Sequence, residues 1–255
     1  MLGIVPSAEG YRQEMAEAER ALALDETLPE AHWCVALVAL TNGEDALYER
    51  ETARVLELDP NFAEALVERA NHLLLQEKFE EAEQVHQRAR SIDPMSPHAL
   101  SSYAARLTVM RRYDRAVPVL FNLTEQFPDY ATGIASLAMT YSAMGRHAEA
   151  LAQIERANLS MNPNFVVWKG VILARAGQTN EARAIAQKSD DTAKVRFLSP
   201  YYRAMLHAVL GDRDAALSLL EEVKRNRDWQ MQLLPHEQAF DPLRGEPRFA
   251  ALLSH

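Results

Sequence analysis

Histidine and cysteine are the residue types in this chain best suited to chemistry, because imidazole and thiolate groups can bind metals or form a nucleophile–base pair. His32 and Cys34 lie two residues apart, and His72 and His86 follow further along the chain. On a helix, side chains two residues apart diverge, so His32 and Cys34 would not form a hydrogen-bonded pair. For His72 and His86 we expect surface positions rather than shared metal ligation.

No sequence motif of an enzyme accompanies these residues. The chain has no glycine-rich phosphate loop, no two-histidine metal helix and no nucleophile elbow. Carboxylate pairs such as Glu80-Glu81 and Glu221-Glu222 are typical of solvated helix faces. We therefore predict a protein that is not an enzyme, with no catalytic residues, no cofactor and no metal.

The excess of acidic over basic residues argues against nucleic acid as a direct partner. The 255 residues include 36 acidic and 27 basic side chains, a formal net charge of −9. Nucleic acids are bound through clustered cations, so direct binding to them is not expected. The longest apolar run, residues 35–40, is far shorter than the ~20 residues that span a bilayer, and no signal peptide is recognisable. These features predict a soluble, cytoplasmic protein that does not bind membranes.

Small residues recur at a nearly fixed step, which is the main organisational signal. One series is Ala36, Ala70, Ala104, Ala138, Gly170 and Ala204, at steps of 34, 34, 34, 32 and 34 residues. A second is Ala82, Ala116, Ala150, Ala182 and Ala216, at steps of 34, 34, 32 and 34. Prolines 60, 94 and 128 keep the same phase. Three registers in phase predict an all-α solenoid of helix-turn-helix units.

The recurring positions have a physical reason. Each unit packs a first helix (the A helix) closely on a second (the B helix), so small residues such as Ala70 and Ala82 are needed where the axes approach. Leucine there would overpack the contact, at a cost of about 1–3 kcal/mol. Proline ends each unit because it cannot continue a helix. Since Tyr48 replaces the B-helix alanine of the first unit, we expect that B helix to be shifted.

These residues resemble the tetratricopeptide repeat family, in which repeat position 8 is small, position 20 is alanine and position 32 is proline. Ala70, Ala82 and Pro94 carry the pattern best. The resemblance covers roughly residues 10 to 226 and implies a right-handed α-solenoid. We predict an N-terminal capping helix or half repeat over residues 1–28, an array of about six helix pairs over 29–226 and a C-terminal capping segment over 227–255.

The C-terminal end resembles the ending of tetratricopeptide regions in bacterial signalling proteins, namely winged-helix regulators, adenylate cyclases and serine/threonine kinases. Asp241-Pro242-Leu243-Arg244 and Pro247-Arg248-Phe249 carry this likeness. We expect Pro247 to start a short helix that covers the apolar end of the last repeat with Phe249, Leu252 and Leu253.

The family resemblance also implies a concave groove lined by A helices, with positions 2, 5, 9 and 12 or 13 pointing inward. The predicted peptide-binding residues are Trp33, Leu37, Val67, Asn71, Ser101, Ala105, Ala135, Met139 and Tyr201. Asn71 could hydrogen-bond a peptide backbone as both donor and acceptor. Trp33 could equally belong to the core between repeats, and for Met139 core packing is favoured over a groove position. No lysine occupies position 5, so capture of a chaperone's C-terminal carboxylate is not favoured.

Two functional hypotheses remain, both with a protein or peptide segment as partner. The first is the regulatory region of a bacterial signalling or transcription protein. The second is a stand-alone assembly scaffold. A third hypothesis, a solenoid that binds a small molecule, is less favoured, because the inward positions offer no converging charges for a polar ligand. The sequence leaves the oligomeric state open.

Overall fold

The computed structural model describes residues 8–194 and 197–254. Within these residues there is no strand, and the chain folds into α-helices joined by short turns. The α-helices are α1 (Ala8–Leu24), α2 (Pro29–Asn42), α3 (Asp45–Leu58), α4 (Ala63–Leu75), α5 (Phe79–Ile92), α6 (Pro97–Val109), α7 (Tyr113–Gln126), α8 (Ala131–Ala143), α9 (His147–Arg156), α10 (Asn164–Arg175), α11 (Thr179–Ala193), α12 (Pro200–Leu210), α13 (Arg213–Arg225) and α14 (Pro247–Leu253). Short 3₁₀ segments are Leu159–Met161, Trp229–Leu233 and Gln238–Leu243.

The chain forms two compact units. Unit 1 comprises the residues up to Ala99 together with Lys224–Gln232, and unit 2 comprises Leu100–Val223 and the residues from Leu233 onward. In unit 1, α2 packs on α3 and α4 on α5; in unit 2, α8 packs on α9 and α10 on α11. This succession of helix pairs confirms the predicted all-α solenoid of helix-turn-helix units. The three-part division at residues 28 and 226 stays a prediction, and its residues 1–7 lie outside the described part.

The helix starts follow the sequence spacing. The B helices begin at Asp45, Phe79, Tyr113, His147, Thr179 and Arg213, which reproduces the steps of 34, 34, 34, 32 and 34 residues. The expected shift of the first B helix is wrong, because α3 begins in phase with the others. Tyr48 takes the place of alanine without a shift. Its ring is fully buried, edge-on to the His72 ring with the centroids 4.7 Å apart.

The surface placement expected for His72 and His86 is also wrong. Their exposed fractions are 6% and 2%. His72 occupies the space beside the Tyr48 ring, where desolvation lowers the pKa of its imidazole. A histidine is amphipathic enough to serve as a core residue when an aromatic ring packs against it.

Each A-to-B turn passes through one residue in the left-handed region. Four of these residues are glycines, Gly43, Gly145, Gly177 and Gly211, whereas Glu77 and Arg111 adopt the same conformation with φ of 60° and 57°. The next N–H then reaches back to the helix, as Lys78 N does to Leu73 O at 2.9 Å and Arg112 N to Leu107 O at 2.8 Å. This Schellman-type bond satisfies a carbonyl at the end of each A helix.

Replacing Glu77 with glycine is expected to raise the free energy of unfolding by up to about 1 kcal/mol. A side chain in the left-handed region costs about 1–2 kcal/mol, and the greater freedom of glycine in the unfolded chain cancels part of the gain. Urea denaturation followed by circular dichroism measures the change. Glu77→Ala, which keeps a Cβ atom, is the matched control and should show no gain; equal behaviour of the two variants would contradict the assignment of strain.

Candidate peptide-binding surface

In unit 1 the predicted groove begins with an accessible apolar pair on α2. Trp33 is half-buried against Ala36, Leu40 and Tyr48, and its ring centroid lies 6.0 Å from that of Phe62. Leu37, one helical turn further on, leaves 38% of its surface exposed. Residues four apart share a helix face, so these two side chains form one patch. Trp33 therefore both packs on the core and borders the surface.

The other two unit 1 residues lie on α4. Val67 is half-buried. Asn71 has no exposed surface, and its Nδ2 donates a hydrogen bond to Glu68 Oε2 at 3.2 Å. The structure thus places the amide inside the helix packing of unit 1, and its proposed contact with a peptide backbone stays a prediction.

The predicted residues of unit 2 are mostly inside. Ser101 is 3% exposed, with its hydroxyl 3.3 Å from that of Tyr130. Ala135 is fully buried, Ala105 is half-buried, and Met139 packs partly buried on the core of unit 2. Tyr201 on α12 is only 1% exposed. Of the predicted groove residues in unit 2, Ala105 and Met139 are therefore the two that remain partly accessible.

Tyr201 is covered by the chain's own C-terminal segment. The 3₁₀ segment Gln238–Leu243 packs on α12, and the Phe240 ring meets the Tyr201 ring edge-on, with centroids 5.4 Å apart and planes at 82°. Phe240 has no exposed surface, and its ring centroid also lies 6.3 Å from that of Phe249. An aromatic pair in this geometry is favourable beyond the area that it buries.

The helix predicted at Pro247 is present as α14. Phe249 and Leu252 are buried, whereas Leu253 remains 39% exposed, contrary to its expected role in covering the last repeat. The Arg248 guanidinium joins α14 to α13 through Glu221 Oε1 at 2.9 Å and Asp214 Oδ1 at 3.1 Å.

Polar contacts extend this C-terminal segment to the turn between α6 and α7. Arg111 Nη2 donates to both carboxylate oxygens of Asp241, at 2.7 and 2.8 Å. The Tyr113 hydroxyl lies at a long 3.4 Å from Gln238 Oε1. Partial desolvation raises the pKa of Asp241, but hydrogen bonds from Arg244 and Arg111 outweigh it and bring the pKa below the usual value.

Arg175, the last residue of α10, belongs to the same charged group. Desolvation lowers the pKa of its guanidinium, while the carboxylate of Glu237, then Tyr113 and Asp241, act in the opposite direction. Arg175 occupies repeat position 13, counted from Gly170 at position 8. Position 13 is one of the inward positions of the family pattern, so this residue could have been found from the sequence. Arg111 lies in the turn and carried no such signal.

In unit 1, the residues that follow α13 make a comparable contact. Arg227 Nη1 donates to Asn42 Oδ1 at the end of α2, at 3.3 Å. Burial raises the pKa of the Asp228 carboxyl. Burial, with Asp228 nearby, also raises the pKa of the Tyr11 phenol to about 12. Residues 224–232 therefore pack against the first helices of this unit.

Metal binding and thiol reactivity were the two kinds of chemistry raised by the histidine and cysteine residues of the sequence. The described residues contain no group of three or more histidine, cysteine or carboxylate side chains arranged to hold a metal ion. Partial burial, with Glu14 nearby, raises the pKa of the Cys34 thiol, which favours its unreactive protonated form. None of the helices in this part of the chain combines the length and apolar character needed to cross a membrane.

The repeated helix pairs define an α-solenoid, and comparison with known proteins agrees. Residues 46–97 match the family model described as "Tetratricopeptide repeat". No curated protein is a significant match. Among solved structures, Pseudomonas aeruginosa PilF is 22% identical, with a TM-score of 0.53 over 79% of this chain and 92% of its own.

Two further structures share the fold. PilW, described as a widely conserved type IV pilus biogenesis factor, is 15% identical with a TM-score of 0.52, covering 89% of this chain and 90% of its own. A tetratricopeptide repeat protein from Parabacteroides merdae is 14% identical with a TM-score of 0.51, covering 94% and 91%. These similarities show a shared helical-repeat fold, and the family match identifies a tetratricopeptide repeat within residues 46–97.

Proposed function

We propose that this chain is a non-catalytic scaffold that binds a segment of another protein on the exposed face of its A helices. The observation that carries the proposal is the Trp33–Leu37 patch on α2. A half-buried tryptophan is the kind of aromatic anchor found at the centre of protein interfaces, and here it lies beside a leucine that leaves 38% of its surface exposed. An amphipathic helix or an apolar segment suits such an anchor better than a polar small molecule does.

Two biological settings are candidates for this scaffold function. The C-terminal likeness of residues 241–249 supports the regulatory region of a bacterial signalling or transcription protein, acting in the cytoplasm. The second candidate is an assembly scaffold. It draws support from the shared fold of PilW, a type IV pilus biogenesis factor.

A Leu37→Arg variant tests the binding surface. Arginine in place of the anchor puts a charge where the partner's apolar side chains must be desolvated, so capture should fall at least about tenfold, equivalent to about 1.4 kcal/mol. The measurement is affinity capture from lysate, quantified by mass spectrometry, beside wild type.

Ile92→Arg is the matched control, because Ile92 is 36% exposed on the B helix α5, against 38% for Leu37. Circular dichroism must show wild-type helix content for both variants. Equal capture by both variants would remove the A-helix face as the binding surface. Capture of no specific partner by the wild-type chain would contradict the scaffold function itself.

A further inference from the structure

The C-terminal segment occupies a basic and aromatic surface of unit 2. We define the receptor surface as Arg111, Tyr113, Arg175 and Tyr201. The segment facing it, residues 237–241, has the sequence Glu-Gln-Ala-Phe-Asp, with a negative charge at each end. Opposite charges therefore face each other around one aromatic contact.

The contacts place each feature of the segment opposite a matching group. Asp241 accepts from one nitrogen of the Arg111 guanidinium, Nη2, at both carboxylate oxygens, and such charge-assisted bonds are stronger than neutral ones. Phe240 stands edge-on to Tyr201. Glu237 Oε1 accepts the Ala239 N–H at 2.9 Å and so caps the 3₁₀ segment, and its negative charge favours the charged form of the Arg175 guanidinium, acting to raise its pKa. Recognition thus rests on the contacts of the fourth and fifth residues of the segment, with the charge of the first residue added to them.

Arg111 lies in a turn whose backbone does not itself call for arginine. It holds a left-handed φ of 57°, the conformation that glycine adopts in four of the six A-to-B turns and that Glu77 adopts in a fifth. A side chain in this region costs about 1–2 kcal/mol relative to glycine. The specific contact of the Arg111 side chain is its ion pair with Asp241.

We propose that the receptor surface recognises a partner segment of the pattern Glu-x-x-Phe-Asp, and that residues 237–241 hold the surface until such a segment replaces them. This rests on the proposed protein-binding function and specifies the chemistry of a partner. The charged contacts can be exchanged, because the side chains of Arg111 and Asp241 are 45% and 37% exposed and solvent reaches them. A partner phenylalanine would restore the contact with Tyr201 that Phe240 gives up.

The internal segment competes strongly, since a tethered ligand has an effective concentration in the millimolar range. The test therefore weakens the binding of the internal segment without removing the Phe240 ring from the core. The full-length Glu237→Gln/Asp241→Asn variant is mixed with a fluorescein-labelled peptide of residues 234–246. Fluorescence anisotropy measures its affinity. The matched peptide carries Glu237→Gln and Asp241→Asn and keeps the same apolar side chains.

The expected result is that the double variant binds the acidic peptide at least about tenfold more tightly than wild type does. It should also prefer the acidic peptide to the matched one by at least about tenfold. Adding Arg111→Gly, which introduces the residue found at four other turns, should remove most of that preference. Circular dichroism checks that each chain is folded, and Asp241→Asn alone replaces the double variant if that variant is not.

Two results would overturn the inference. One is a folded variant that fails to bind the acidic peptide or binds both peptides alike, since the segment would then be a permanent part of the fold. The other is a wild-type dimer in sedimentation that the acidic peptide dissociates, since a second copy would then be the occupant. If the peptides do not bind as expected while Leu37→Arg still loses its partner, only this inference is wrong. If Leu37→Arg keeps its partner, the proposed binding by the A-helix face is wrong, independently of the peptide result.

Discussion

Phe240→Ala is expected to lower the free energy of unfolding of unit 2 by about 3–5 kcal/mol. The ring has no exposed surface and packs near both Tyr201 and Phe249, so truncation would leave a cavity bordered by aromatic side chains. The loss combines the transfer free energy of the ring with the contacts that its neighbours no longer make. Urea denaturation followed by circular dichroism should show an earlier midpoint.

Phe121→Ala provides the control, because this phenylalanine on α7 is 51% exposed and belongs to the same unit. Its removal should change the unfolding free energy by about 0.5 kcal/mol or less. If Phe240→Ala were as mild as Phe121→Ala, the C-terminal segment would not be part of the core of unit 2 in solution. Tyr201 would then be exposed, and the receptor surface would be open without any partner.

A large loss at Phe240 is compatible with replacement by a partner. The loss in Phe240→Ala arises because nothing fills the space beside Tyr201. A partner that brings its own phenylalanine fills that space, so the exchange substitutes one aromatic contact for another. Binding by exchange requires the partner to match the ring and both charges, which favours selectivity over affinity.

The repeat was predictable because its cause is local and periodic. Helix axes that approach closely admit only small side chains, so Ala70, Ala82 and their equivalents recur at the repeat length. The same periodicity fixes where each B helix begins. His72 was misplaced because the pattern assigns a helix and a phase but does not show that the Tyr48 ring would pack against it.

The candidate site was harder to predict, because the residues that contact each other there lie far apart in the chain. Arg111 and Asp241 are separated by 130 positions. Nothing in the spacing of the repeats links a turn residue to a segment beyond the last helix pair. The resemblance to bacterial signalling proteins predicted that this segment caps the last repeat, and in α14 two of the three predicted capping side chains, Phe249 and Leu252, are buried. It did not indicate that Phe240 would cover Tyr201, a residue predicted to face a peptide.

Gly170→Leu is expected to lower the free energy of unfolding by about 3 kcal/mol, at the upper end of overpacking effects. Gly170 is the small residue at position 8 of its repeat, on α10. A Cβ atom there would already lie 2.9 Å from both Ile185 Cγ2 and Leu206 Cδ2. Leucine adds three further carbons in a space that α11 and α12 already fill.

Two comparisons separate overpacking from the simple loss of a glycine. Gly170→Ala should cost less than Gly170→Leu, because it must displace Ile185 Cγ2 and Leu206 Cδ2 for one added carbon instead of four, and alanine gains about 1 kcal/mol of helix propensity. Gly245→Leu should be nearly neutral, since no atom lies within 4 Å of a Cβ added at that position. Thermal or urea unfolding of the three variants should therefore rank Gly170→Leu well below the others. If Gly170→Leu matched Gly245→Leu, close helix approach would not explain the small residues, and the physical basis given for the repeat would be wrong.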